Sequence, residues 1–225
     1  MSDILLKNLE AIRAKIGDRP VTLLAVTKTV PVERINIAIN EGGVRYIGEN
    51  RVQELLRKYD NLAKRDELHI HLIGSLQTNK VKYIIDKVEL IQSVDSFRLI
   101  DEIQKQAAKI GKIQDILIEI NIGDEESKGG ISADELPSFL SYLENNPNIR
   151  WKGLMCVPPI SDDEHELSGY FNKMKKLLVD NIDEKIDNIN NYILSMGMSN
   201  DYEIAMNAGS TMIRVGSALF GARKY

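Results

Sequence analysis

The chain has one cysteine, Cys156, in 225 residues. No intramolecular disulfide can form, and a cysteine-based metal cluster is excluded. Excess positive charge is missing too: 29 lysines and arginines stand against 33 aspartates and glutamates, a formal net charge of −4. That balance leaves no electrostatic footprint for nucleic acid or for an anionic membrane surface. No stretch approaches the roughly 18 consecutive apolar residues of a membrane span. The opening MSDILLKNLEAIRAKIG lacks the basic leader and long apolar core of a secretory signal. These absences predict a cytoplasmic protein that binds neither nucleic acid nor membrane.

What is present suits one folded domain over residues 1–225. With 43% hydrophobic and 28% charged residues, the chain can bury a substantial core. After an amphipathic N-terminal helix carrying Ile4, Leu5, Leu9, Ile12 and Ile16, strand-like and helix-like segments alternate. The strand candidates are Val21–Thr27, Val44–Ile47, Leu68–Ile73, Glu89–Val94, Asp115–Ile122, Arg150–Val157, Tyr192–Met198 and Met212–Val215. Helical patterns separate them, including LQTNKVKYII after the third strand. SADE (Ser132–Glu135) and SDDE (Ser161–Glu164) both read as capping boxes. Leu167, Tyr170, Phe171, Met174, Leu177 and Leu178 form one apolar stripe, which reads as core. The Asn/Asp-rich DNIDEKIDNINN (Asp180–Asn191) reads as a surface excursion. Eight alternating units predict an α/β fold, a single-domain (β/α)8 TIM barrel with an extra N-terminal helix. A doubly wound open sheet is the alternative.

A parallel barrel carries its chemistry at the C-terminal strand ends. The first strand, TLLAVTKTV, runs into Lys28; the second runs into Glu49 and Asn50. The last runs through RVGSALFG, where Gly216 lets a ligand approach the backbone and Ser217 opens a helix with N–H groups directed at an anion. Ser199, after the seventh strand, can add a hydroxyl. The plainer alternative is a tight turn at Gly216 with Ser217 as a helix cap. Arg214 lies in an apolar strand and must be paired, either with an acid or with a ligand, on the same strand face as Gly216. An amine in an apolar barrel mouth near a fixed cation is disfavoured as ammonium, and a neutral amine attacks an aldehyde. Together these positions suit pyridoxal 5′-phosphate (PLP): aldehyde at Lys28, phosphate at Ser199, Gly216 and Ser217, ring nitrogen at Arg214.

The segments LLAVTKT, YIGENRVQE, HLIGSLQTNK, NIGDEESKGG, GLMC and SMGMSNDYEIAMNAGSTMIRVGSALFGAR resemble, in order and over nearly the whole chain, the YggS/PROSC family of pyridoxal phosphate homeostasis proteins. The resemblance implies the barrel of the alanine racemase N-terminal domain and a cofactor held covalently as a Schiff base on Lys28. It also implies Asn50 and His71 as pocket residues. Ser217 stands where that family usually has threonine, which keeps the hydroxyl, and Ser75 stands where proline is usual.

Binding a cofactor is not catalysis. An arginine at the pyridine nitrogen leaves that nitrogen uncharged and the ring a poorer electron sink. Racemases of this type add a β-domain that supplies a tyrosine; this sequence stops at Tyr225. The expectation is a monomeric, non-enzymatic carrier that buffers PLP and serves PLP-dependent apoenzymes. The alternatives are a racemase-like enzyme acting on amino acids, and a barrel enzyme for a phosphorylated sugar using Glu49 and His71. His69 and His71, two apart on one strand face, also raise a metal site, although a third ligand is hard to find.

Overall fold

The computed structural model describes residues 2–125, 128–182 and 192–222. Within them, parallel strands close into a barrel in chain order: β1 (Thr22–Val26), β2 (Tyr46–Glu49), β3 (His69–Leu72), β4 (Leu90–Val94), β5 (Gln114–Ile120), β6 (Ile149–Cys156), β7 (Ile193–Ser195) and β8 (Met212–Val215). Pairing of β1 with β8, Leu24 beside Arg214, completes the ring. The open sheet is thereby overturned. All eight strands fall where alternation of apolar runs placed them, with ends displaced by at most three residues and β8 matching at both ends.

The connecting helices are α2 (Val32–Asn40), α3 (Val52–Tyr59), α4 (Phe97–Lys109), α5 (Leu136–Leu143), α6 (Glu164–Asp180), α7 (Tyr202–Asn207) and α8 (Ser217–Phe220). The N-terminal helix α1 (Ser2–Ile16) buries Leu5, Leu9, Ile12 and Ile16, whereas Ile4 faces solvent. The α6 stripe is core as expected: Leu167, Phe171, Met174 and Leu178 are buried. Most apolar burial lies between strands and helices, and a smaller cluster of Leu90, Leu117 and Met155 fills the lumen.

Two local readings are corrected. After β3 the chain forms a 3₁₀ helix over Thr78–Tyr83, not an α-helix. Its three-residue repeat sets Val81 over Ile84, both fully buried. SADE is a capping box, but SDDE is not: the α6 cap is Asp163, whose carboxylate accepts from the His165 and Glu166 N–H groups at 2.8 and 3.4 Å. The ionised carboxylate is the stronger acceptor, and Ser161 turns to Glu166 instead. Of the Asp180–Asn191 excursion, residues 183–191 lie outside the described residues.

The single turn α8 is anchored by side chains from elsewhere. Asn8 of α1 donates to the Leu219 carbonyl at 3.1 Å, and Arg34 of α2 donates to the Phe220 carbonyl at 2.7 Å. These bonds satisfy carbonyls that a four-residue helix cannot satisfy internally. The extra N-terminal helix therefore helps hold the loop after β8 at the barrel mouth.

Candidate functional site

Strand alternation decides which side chains reach the lumen. On β1 and the turn after it, Val26 and Lys28 face the mouth, while Thr27 faces outward and bonds Glu49. A cavity of about 620 Å³ opens there, and Lys28, Asn50, Ser199, Arg214, Gly216 and Ser217 all line it. Residues separated by up to 189 positions thus share one site.

Ser199 Oγ accepts from the backbone N–H groups of Gly216 and Ala218, each at 3.2 Å. The Ser217 N–H between them has no acceptor among the described residues. With the Gly216 and Ala218 amides engaged by Ser199 Oγ, the Ser199 hydroxyl hydrogen and the Ser217 N–H are the donors left at this turn, a pairing suited to a phosphate. A Cβ at Gly216 would meet Val26 at 3.4 Å, an ordinary contact, so the protein itself does not demand glycine there. What the missing side chain leaves open is the approach from the cavity. At Gly74 the reason differs: a Cβ would lie 2.4 Å from the Asn50 carbonyl. That close approach packs the loop after β3 against Asn50, and Ser93 Oγ pins the Gly74 carbonyl at 2.7 Å. Asn50 Oδ1 is buried with no hydrogen-bond partner among the described residues, an acceptor left for something the protein does not supply.

Arg214 is 4% exposed, and its hydrogen bonds do not go to an acid. Nη1 donates to the carbonyl and hydroxyl oxygens of Ser195, and Nη2 to the Cys156 carbonyl, all at 2.7 Å. Burial pushes its pKa below the usual arginine range, opposed by the acidic groups of Cys156, Glu119 and Asp201 around it. The Glu119 carboxyl is pushed up to about 7, mainly by burial and then by Asp95, with Arg214 pulling the other way. Asp95 and Asp201 are raised as well, in both cases chiefly by burial. Arg214 thus lies among carboxyl groups whose pKa values burial raises, and of these Asp201 lines the mouth.

His71 is the exception among the expected pocket residues. It does not line this cavity but a smaller one of about 250 Å³ at the N-terminal strand ends, beside Tyr46, Glu89 and Met212. The link to the mouth is indirect. Arg214 donates to Ser195 Oγ; Ser195 Oγ donates to Gln92 Oε1 at 2.7 Å; Gln92 Nε2 bonds His71 Nδ1 at 2.9 Å. This polar column runs down the lumen from one cavity to the other. With Gln92 as donor, His71 Nδ1 is the acceptor and the ring is neutral, in keeping with burial that pushes its pKa down to about 3. His69 pairs with Glu89 and stacks on Tyr46. Glu49 and His71 stand on opposite faces of the sheet, Glu49 bonding Lys58 of α3, so the pair required by the sugar-phosphate alternative is not assembled. Cys156 is fully buried, its thiol pushed up to about 12 by desolvation. It is core.

Residues 2–224 match the alanine racemase N-terminal domain. A pyridoxal phosphate homeostasis protein of Aquifex aeolicus is 46% identical over 213 residues, covering 95% of this chain and 92% of that one. The chain belongs to the pyridoxal phosphate homeostasis protein family. Another member, from Escherichia coli K12, is 37% identical over 237 residues and covers 100% of this chain and 99% of its own. The fold agrees: PipY of Synechococcus elongatus, solved with PLP bound, has a TM-score of 0.84 at 29% identity, covering 96% of this chain and 100% of that one.

Against this family background, the residues missed by sequence reasoning stand out. Glu119 carried a readable signal: an acid alone in the apolar strand ILIEI is as anomalous as an arginine in MIRV, and the same argument finds both. Ser195 and Gln92 gave none, because a small or neutral polar residue in a barrel strand looks the same whether it fills space or orients a cation.

Proposed function

We propose that this protein is a PLP carrier of the cytoplasm. In this reading it binds the cofactor in the mouth cavity, holds it covalently on Lys28 and releases it to PLP-dependent apoenzymes. One observation carries the reading: an amine, a buried guanidinium and a cradle of hydroxyl and amide donors surround one cavity. The donor set fits the group. The Ser199 hydroxyl and the Ser217 N–H would hold the phosphate, Arg214 would donate to the ring nitrogen, and Asn50 Oδ1 would accept from a polar substituent. When bound, the cofactor supplies an electrophilic aldehyde. Lys28 would hold that group through its nitrogen, by a condensation in which the carbonyl oxygen would leave as water with no change of oxidation state. Arg214 stays protonated, is oriented by Ser195 and Cys156, and keeps the ring nitrogen free of a proton. The barrel acts as a single domain and, on this reading, as a monomer.

The test is a spectrum of purified protein with added PLP, before and after borohydride, followed by peptide mapping. The expected result is a visible band, an adduct fixed on Lys28, and loss of both in Lys28→Ala. An adduct surviving that substitution overturns the assignment.

A second reading has one observation in its favour. Glu119, near neutrality beside Arg214, has the acidity expected of a proton carrier working near pH 7. Incubation with L-alanine in D₂O separates the readings: Cα exchange at turnover rates, lost in Glu119→Gln, would make the protein an enzyme.

A further inference from the structure

Lys28 sits between two residues that are both tied down from the outer side of the barrel. Thr27 Oγ1 donates to Glu49 Oε1 at 2.6 Å, and the Thr27 carbonyl accepts from Lys58 Nζ at 2.8 Å. On the other side, the Thr29 N–H donates to Glu54 Oε1 at 2.5 Å. Lys58 joins the two acids, 2.8 Å from Glu49 and 2.7 Å from Glu54. These side chains are buried to within 1–13% exposure. None lines the mouth cavity.

Thr29 has φ 63°, a left-handed conformation that costs a β-branched residue free energy and persists only when its surroundings impose it. Here the imposition is visible. Glu54 takes the Thr29 N–H, and the Val30 N–H closes the turn on the Thr27 carbonyl at 3.0 Å. A buried ion cluster is weak evidence for stability, since apolar replacements often serve as well. What this cluster supplies is direction, because three of its bonds end on the residues flanking Lys28.

We propose that Lys58, Glu49 and Glu54 are positioning residues. They form a clamp behind β1 that aims Lys28 across the mouth and thereby sets how fast an aldehyde bound in the cavity is captured. The proposal rests on Lys28 being the point of attachment. The capture step is the condensation already balanced above, and the clamp takes no part in its proton or electron movements.

The experiment compares wild type with Glu54→Ala, Lys58→Met and Glu54→Gln. Pyridoxine 5′-phosphate, which carries an alcohol in place of the aldehyde, measures non-covalent binding. Appearance of the borohydride-fixed Lys28 adduct from PLP measures capture, and thermal unfolding monitors the fold. In Glu54→Ala and Lys58→Met, capture is expected to slow by about tenfold or more, since small displacements of a reacting group cost that much. Affinity for the alcohol should stay within about twofold, because the phosphate cradle lies on other loops. Glu54→Gln keeps an acceptor for the Thr29 N–H and should recover most of the rate. Capture at the wild-type rate in both disruptive variants overturns the clamp, as does a loss of alcohol binding in parallel with capture. Wild type that binds the alcohol yet yields no adduct overturns the attachment itself, and the clamp with it.

Discussion

His71 lies within hydrogen-bond reach of Gln92 and of no acid, so the fold holds its ring neutral. Burial, and secondarily the charge of His69, depress its pKa from 6.5 to about 3. Above pH 6.5 the folded and unfolded chains are alike at this residue. Below it the unfolded chain takes up a proton that the folded chain refuses, so stability contributed here falls as pH falls from 6.5 toward 3. The full shift corresponds to on the order of 5 kcal/mol. Glu119 has the opposite sign: its raised pKa makes the folded chain the better proton binder between pH 7 and 4.5, so acidification favours folding there. Comparing wild type with His71→Gln cancels the Glu119 contribution. Urea unfolding should show the variant gaining roughly 3 kcal/mol on wild type between pH 7 and pH 4. Parallel losses in the two proteins would show that the ring is not held neutral. At the same scale, Ser195→Ala removes two of the oxygen contacts of the column and leaves Arg214 short of one partner. A cost of about 1–3 kcal/mol is expected in the same measurement.

At the scale of elements, the phosphate cradle depends on helices that never touch it. A one-turn helix has little intrinsic stability, and α8 keeps its place because Asn8 and Arg34 hold its last carbonyls. Arg34→Met should cost about 1 kcal/mol of stability through the Phe220 carbonyl. It should also weaken binding of pyridoxine 5′-phosphate, read by titration, without altering the chemistry of Lys28. Unchanged affinity would mean that the loop after β8 holds its shape unaided. Legibility of elements followed their length and period. Eight strands were evident as β-branched apolar runs, and α6 as a stripe at helical spacing. The 3₁₀ segment after β3 was not, since its apolar spacing fits either helix, and the α6 cap slid to Asp163 because SDDE offers three competing acceptors.

For the whole molecule, ligand and fold are linked by mass action. A group bound only by the folded barrel at a hundred times its dissociation constant adds about 2.7 kcal/mol of stability. In a chain of this size that raises the melting temperature by roughly 5–10 °C. PLP should produce such a shift in wild type and a smaller one in Lys28→Ala, where the phosphate and ring contacts remain. A shift of equal size in both would remove Lys28 from the site.

The amino-acid sequence by itself determined a parallel α/β fold of eight strand–helix units, because alternation of buried strands with amphipathic helices leaves few other ways to hide the apolar faces; the pairing of β1 with β8 closed it into a barrel. It also grouped Lys28, Arg214, Ser199, Gly216 and Ser217, since strand order and alternation carry the C-terminal end of every strand to one rim, while Asn50 came from the family resemblance. Tertiary structure alone decided the place of His71. Its strand face was correctly inward, but depth along the lumen depends on the stagger between strands, which no local pattern records. Only the fold revealed that Arg214 is oriented by a serine and a carbonyl instead of an acid. The turn at Lys28, likewise, is held by a helix through bonds that span 25 and 31 residues of chain. Such contacts join residues distant in sequence, and their energies come from burial that does not exist until the barrel has closed.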